Sequence, residues 1–285
     1  LSRRAPDTER LREMYLRLEL RSLLKQLPGW VPSAPPGAES GSEPEPEASP
    51  QPALAVPGAV PRNYDTVLTD EQLDAWLERL RDAELFAFDT ETTSLDYMQA
   101  EIVGVSFCVE PGHAAYVPLA HRYPGAPQQL DRDAVLKRLE PLLSDPKHAK
   151  LGHHLKYDAH VLRNHGIELR GMRYDSMLES YVLNSTETRH DLDSTAKLYL
   201  GVDTIKYEDV AGKGAKQIPF DQVPVERAAE YSAEDSDVSL RLHHALWSQI
   251  ERLPRVRKLY EEIEQPLVPV LLDMEHLGVL IDAAM

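Results

Sequence analysis

The chain has 285 residues, 42% of them hydrophobic, ample for a sizeable core in one large or two ordinary domains. Its 31 Lys and Arg stand against 47 Asp and Glu, and the net charge of −16 has the wrong sign for gripping nucleic acid over a wide surface. The single cysteine, Cys108, excludes an intrachain disulfide framework and a cysteine zinc cluster, and no apolar run reaches the ~18 residues of a membrane-spanning helix.

The chain opens on Leu1 without an initiator Met or a signal peptide, and reads as a soluble piece of a longer polypeptide from a reducing compartment. Residues 1–27 are charged, with Leu11, Met14, Leu18 and Leu24 near helical spacing, which predicts an amphipathic helix able to bury little by itself. Residues 28–61 hold ten of the 22 prolines together with Glu39, Glu43, Glu45 and Glu47. Such a composition packs no core and predicts an extended, semi-flexible tether.

From residue 62 the pattern becomes globular. Thr69 and Gln72 ahead of Leu73, Trp76, Leu77 and Leu80 predict a helix opened by a capping box. Strands are predicted over 85–90, 102–109 and 113–118, a helix over 131–144 and a short strand over 147–152. Helices follow over 155–165, 175–184, 191–200 and 224–250, interrupted by a loop at Gly212 and Gly214. Strands, then helices with a further strand, indicate an α/β fold around a mixed sheet. A long helical pattern runs from Leu259 to Leu280.

Chemistry concentrates at three places. Asp89 and Glu91 end the apolar run Phe86-Ala87-Phe88 and, two apart on a strand, project from one face. Asp158 sits early in a helix, and Tyr231 and Asp235, four apart, share a helix face. Taken singly, each is as readily a solvated acid or a core aromatic. Gathered together, four ionised carboxylates repel, and burying them uncompensated costs many kcal/mol. Hard divalent cations relieve that cost, and two of them about 3.5–4 Å apart make a phosphoryl-transfer site. A histidine zinc site is not indicated: there is no HExxH, and the adjacent His153 and His154 would point to opposite faces of a strand.

At these residues the chain closely resembles the 3′–5′ exonuclease domain of bacterial family A DNA polymerases, a DEDD exonuclease with tyrosine in its last motif. Asp89-Thr90-Glu91-Thr92 with Ser94-Leu95 matches the first motif, Leu155-Lys156-Tyr157-Asp158 the second, and Tyr231-Ser232-Ala233-Glu234-Asp235 the third. The segments 175–181, 189–194 and 211–214 also look like the family, which usually places Asn where His154 stands.

The resemblance runs from about residue 60 to the end. It implies a ribonuclease H-like three-layer α/β fold with a mixed five-stranded sheet. It further implies a division into the tail of a 5′-nuclease domain (1–27), a Pro-rich linker (28–61), the exonuclease domain (62–250) and the start of a polymerase thumb (251–285). Asp89, Glu91, Asp158 and Asp235 would hold two divalent ions, Mg²⁺ with Mn²⁺ or Zn²⁺ as substitutes, and Tyr231 would orient the attacking water. Leu95, Met98, His154, Arg189 and Tyr207 are candidate substrate contacts, with Lys213 and Lys216 as further phosphate contacts. The implied partners are the 3′ end of single-stranded DNA and the polymerase and 5′-nuclease domains of one monomeric, cytoplasmic, nucleoid-associated parent. Competing readings are a DEDD exoribonuclease and a catalytically silent spacer.

Overall fold

A computed structural model of the chain describes residues 7–17 and 61–281, divided between two units, Leu1–Ala53 and Leu54–Met285. In the first unit α1 (Thr8–Arg17) forms part of the predicted amphipathic helix, and Arg10 N donates to Asp7 Oδ1 at 3.0 Å to cap it. The tether predicted over 28–61 lies, apart from Pro61, outside the described residues.

In the second unit β1 (Asn63–Thr66) precedes α2 (Asp70–Asp82), and the predicted capping box is formed: Thr69 Oγ1 accepts from Gln72 N at 3.3 Å while Gln72 Oε1 accepts from Thr69 N at 3.1 Å. Three strands follow, β2 (Leu85–Thr92), β3 (Ile102–Glu110) and β4 (His113–Pro118). Then come α3 (Arg132–Leu143), β5 (Ala149–Gly152), α4 (Leu155–Asn164), β6 (Met172–Asp175), α5 (Ser176–Leu183) and α6 (Leu192–Leu200). A short helix α7 (Tyr207–Ala211) leads to the long α8 (Val225–Ile250), and the described chain closes with α9 (Pro254–Leu259), a π turn (Tyr260–Glu264) and α10 (Gln265–Leu277).

The sheet runs β1-β4-β3-β2-β5-β6, with β3 antiparallel to both neighbours and the remaining pairs parallel. It has six strands where five were expected. At one edge, β1 is a four-residue strand too short and polar to register as an apolar run. Two hydrogen bonds fix it, Tyr64 OH to Asp237 Oδ2 at 2.9 Å and Trp76 Nε1 to Asp65 Oδ2 at 3.0 Å. Like β1, β6 escaped residue-level prediction because Met172-Arg173-Tyr174-Asp175 is only four residues long, with two apolar positions alternating with charges. The helix predicted from Leu259 to Leu280 runs through a π turn at Tyr260–Glu264 and stops at Leu277, where Gly278 takes a left-handed φ of 67°.

Alternation along β2 divides its side chains between two cores. Phe86 and Phe88 face the larger core, with Leu73, Trp76 and Leu77 of α2, Leu136 and Leu139 of α3, and Leu155 and Ala159 of α4. Ala87, on the other face, packs with Ala233 and Leu240 of α8. Helices thus cover both faces, giving the expected three layers, and small residues at Ala228, Ala229 and Ala233 let α8 lie close to the sheet.

Tyr116 of β4 lies across Gly104 of β3, the residue paired with Glu91. A Cβ at Gly104 would fall 2.1 Å from the Tyr116 hydroxyl, itself 2.8 Å from His121 Nε2. Gly104→Ala should therefore overpack this layer and cost about 1–3 kcal/mol. A thermal melt in EDTA should show a lowered midpoint; an unchanged one contradicts this account of the packing.

Candidate active site

The site lies where β2 outruns its parallel neighbour. Pairing between β5 and β2 ends at Ala87–Leu151, so the backbone N–H of Thr90 has no strand partner on that side. Asp158 fills the gap: its Oδ1 accepts from Thr90 N at 3.0 Å and Thr90 Oγ1 at 2.6 Å. The buried carboxylate of α4 is thereby fixed to the strand that carries Asp89 and Glu91. From the opposite layer, α8 supplies Tyr231 and Asp235. One carboxylate oxygen each from Asp89, Glu91 and Asp235 lies within 4.8 Å of the others.

Helix α4 owes its position to a residue whose role sequence reasoning missed. Asp175, at the end of β6, accepts from His154 N (3.0 Å) and Leu155 N (2.9 Å) at the start of α4, and from Met177 N (3.0 Å) and Leu178 N (3.4 Å) at the start of α5. One buried carboxylate caps two helices. His154 itself makes no side-chain cap; it sits at φ 64°, where Asn and His are tolerated better than most side chains. That backbone requirement accounts for an Asn or His at this position. His190, at φ 62°, is the other left-handed non-glycine among the described residues, and its carbonyl lies 2.9 Å from His153 Nε2. Both left-handed histidines line the cleft.

Electrostatically the site is unbalanced. Burial raises Asp89 to about 6, and it pushes Glu91, Asp158 and Asp235 well above the usual carboxylate range, with the neighbouring carboxylates adding to the shift. Among the described lining residues Arg189 is the one Arg or Lys, and its Nε already pairs with Asp191 at 3.1 Å. An all-oxygen donor set this close, short of compensating charge, fits a hard divalent cation bound at about 2.0–2.6 Å per ligand. Burial and the facing Asp235, Glu91 and Asp89 raise the Tyr231 phenol well above its ordinary range, so it remains protonated and is suited to donating or orienting, not to abstracting a proton.

The cleft has a volume of about 1080 Å³. Leu95, His154, Arg189 and Tyr207 line it; Met98 sits on the same loop as Leu95 but outside the lining, half-exposed, with its N–H donated to Asp96. Lys213 pairs with Glu208 at 2.7 Å, and it and Lys216 also lie outside the lining. An aromatic wall was only partly foreseen: Tyr207 stacks on Phe220 at 6.2 Å, and both rings lie just over 6 Å from Tyr231. Tyr157 was missed as well. Its hydroxyl donates to Ser94 O at 2.6 Å and lies 2.5 Å from Thr92 Oγ1, tying the residue before Asp158 to the loop that carries Leu95. No sequence signal distinguished Phe220 from an ordinary core aromatic.

A sequence model of the family described as 3′–5′ exonuclease, of the DNA polymerase A type, matches residues 64–251. The chain belongs to this exonuclease family. It is 60% identical over 223 residues to DNA polymerase I of Pseudomonas aeruginosa and 40% identical over 236 residues to that of Rhizobium leguminosarum. These alignments cover 78% and 77% of the chain but 24% and 23% of the relatives, so the exonuclease chain spans about a quarter of their length.

Among solved structures, the POL domain of M. smegmatis Pol1 in complex with DNA primer-template and dNTP aligns with a TM-score of 0.60 at 21% identity, covering 76% of this chain and 33% of that one. Brucella melitensis NrnC (TM-score 0.55, 19% identity, 76% and 93% covered) and Escherichia coli RNase D (TM-score 0.52, 21% identity, 76% and 52% covered) share the fold.

Asp175→Ala should remove both caps at about 1 kcal/mol each and leave buried N–H groups unpaired, a combined loss of about 2–4 kcal/mol. Asp175→Asn should lose less, because its amide oxygen still accepts. Urea unfolding in EDTA measures both; equal stabilities for wild type and Asp175→Ala contradict the double cap.

Proposed function

We propose that the exonuclease removes nucleotides one at a time from the 3′ end of single-stranded or mispaired DNA, releasing 5′-mononucleotides. The observation that carries this is the gathering of Asp89, Glu91 and Asp235 within 4.8 Å in the lining of a cleft that also holds Tyr207, Phe220 and Tyr231. Two divalent ions, Mg²⁺ with Mn²⁺ or Zn²⁺ as substitutes, would be held by these three carboxylates and by Asp158, the latter largely through water. When bound, such ions supply the positive charge that lets the acids ionise and that stabilises the attacking and leaving oxygens of an in-line displacement.

The chain's own residues do the rest. Tyr231, its phenol protonated, orients the attacking water beside Asp235. Thr90 keeps Asp158 from rotating away from β2. Tyr207, backed by Phe220, offers a face on which any base stacks, and Leu95, 94% exposed at the rim, wedges against the terminal bases with Met98 behind it. Arg189 and His154 contact the phosphates. Local contacts of this kind suit a chain of net charge −16, which cannot hold DNA by a broad basic surface.

The relatives' length supports placing the chain within a DNA-directed DNA polymerase of replication and repair, monomeric, cytoplasmic and nucleoid-associated. In that parent, 1–27 would be the tail of a 5′-nuclease domain, 28–61 a linker, 62–250 the exonuclease domain and 251–285 the start of the thumb. Among the described residues no helix is long and apolar enough to cross a membrane. The exoribonuclease alternative draws on neighbours that share the fold alone, whereas the 60% relative is a DNA polymerase I.

Purified protein should shorten 5′-labelled single-stranded DNA from its 3′ end with Mg²⁺ or Mn²⁺ and stop on addition of EDTA. Asp235→Ala should abolish the activity while the protein stays folded, with an unchanged far-ultraviolet circular dichroism spectrum. A wild type inert with metal favours a silent spacer, and faster loss of RNA than DNA favours the exoribonuclease. Tyr231→Phe should lower kcat roughly ten- to a hundredfold, with Mn²⁺ affinity little changed, as expected for a lost orienting contact.

A further inference from the structure

Helix α4, which carries Asp158, is gripped at both ends by residues beyond the stretch matched by the exonuclease family, which ends at residue 251. At its start, Asp175 caps α4, and the N–H of Asp175 donates to the buried Tyr260 hydroxyl at 2.8 Å. Tyr260 in turn donates to Gln265 Oε1 at 2.9 Å, and Gln265 Nε2 to Met172 O at 2.7 Å. The π turn over 260–264 separates these residues by one wide turn, so Tyr260 meets the end of β6 and Gln265 its start.

Along its length, three basic side chains of α4 meet two acids of α10. Glu275 pairs with Lys156 and lies 2.9 Å from His160 Nε2, while Arg163 pairs with Asp273 at 2.6 Å. Leu272 of α10 is buried in the core that contains Leu155 and Ala159. The buried His160 also stacks on Tyr97 at 4.1 Å, and Asn164 Nδ2 donates to Tyr97 O and Ala100 O at 2.8 and 2.9 Å. Both contacts are to the loop that bears Leu95. Helix α4 therefore joins α10 on one side to a carboxylate and the rim of the cleft on the other.

We propose that Glu275 and Asp273 are positioning residues of the exonuclease: by holding α4 in register they set where Asp158 stands relative to Asp89, Glu91 and Asp235. This rests on the nuclease function proposed above. It makes α10 part of the exonuclease unit, on the far side of a boundary drawn at residue 250. Any displacement of α10 by the polypeptide that follows it would then be felt at the site.

The test uses the full chain and measures kcat and KM on a single-stranded oligonucleotide, Mn²⁺ affinity by electron paramagnetic resonance, and melting in EDTA. Glu275→Ala with Asp273→Ala should lower kcat roughly ten- to a hundredfold, the effect of misplacing a reacting group by about an ångström. Mn²⁺ binding should weaken while KM for DNA stays near wild type. Leu246→Ala, a destabilising change in the α6–α8 cluster that contains no α4 residue, should lower the melting point without this split. Should the double variant not fold, D273R alone should be impaired and R163D/D273R, which reverses the pair but keeps it, should recover. Wild-type kcat and Mn²⁺ affinity in E275A/D273A, or R163D/D273R as impaired as D273R, overturns the proposal. A wild type inert on DNA instead overturns the nuclease function on which it rests.

Discussion

The hydrogen bonds between Asp158 and Thr90 join the two halves of the site. β2 brings two acids to one face of the sheet and α8 adds a third from the same side, but Asp158 belongs to the layer on the opposite face. It reaches the cluster because β5 stops short of β2 and leaves the Thr90 N–H free to take a side-chain acceptor. A strand end, usually a place where pairing simply lapses, here fixes the geometry of a buried acidic cluster.

The cluster is costly to the apoprotein. Four carboxyl groups displaced upward by burial, with neighbouring acids adding to the shift of Glu91, Asp158 and Asp235, are kept in place by the packing around them: Gly104 under Tyr116, Ala233 against Ala87, and Asp175 at two helix starts. Binding of a divalent cation therefore couples to the stability of the fold as well as to catalysis. The left-handed backbones of His154 and His190, both lining the cleft, are further departures from relaxed geometry concentrated there.

Much of this was legible in the sequence because local rules govern it. The capping box at Thr69, the apolar runs of β2 to β4, and the 3.6-residue pattern of α8 each express one short-range preference, and their predicted bounds differ from the observed ones by few residues. The strand period alone placed Asp89 with Glu91, and the helix period alone placed Tyr231 with Asp235. β1 and β6 were not legible, since segments of four residues become a strand only when a neighbour offers them a ladder. The π turn at Tyr260 was likewise hidden, because it is chosen by what Tyr260 and Gln265 meet on β6.

The sequence by itself determined which acids exist, how they pair within each element, and which family motifs they form, because spacing along one strand or helix is fixed by backbone geometry. Only the tertiary structure decided that Asp158 crosses to the other side of the sheet, that Asp175 caps two helices, and that α10 grips α4. Those facts depend on groups distant in the chain satisfying one another's buried hydrogen bonds and charges, and no local period carries that information.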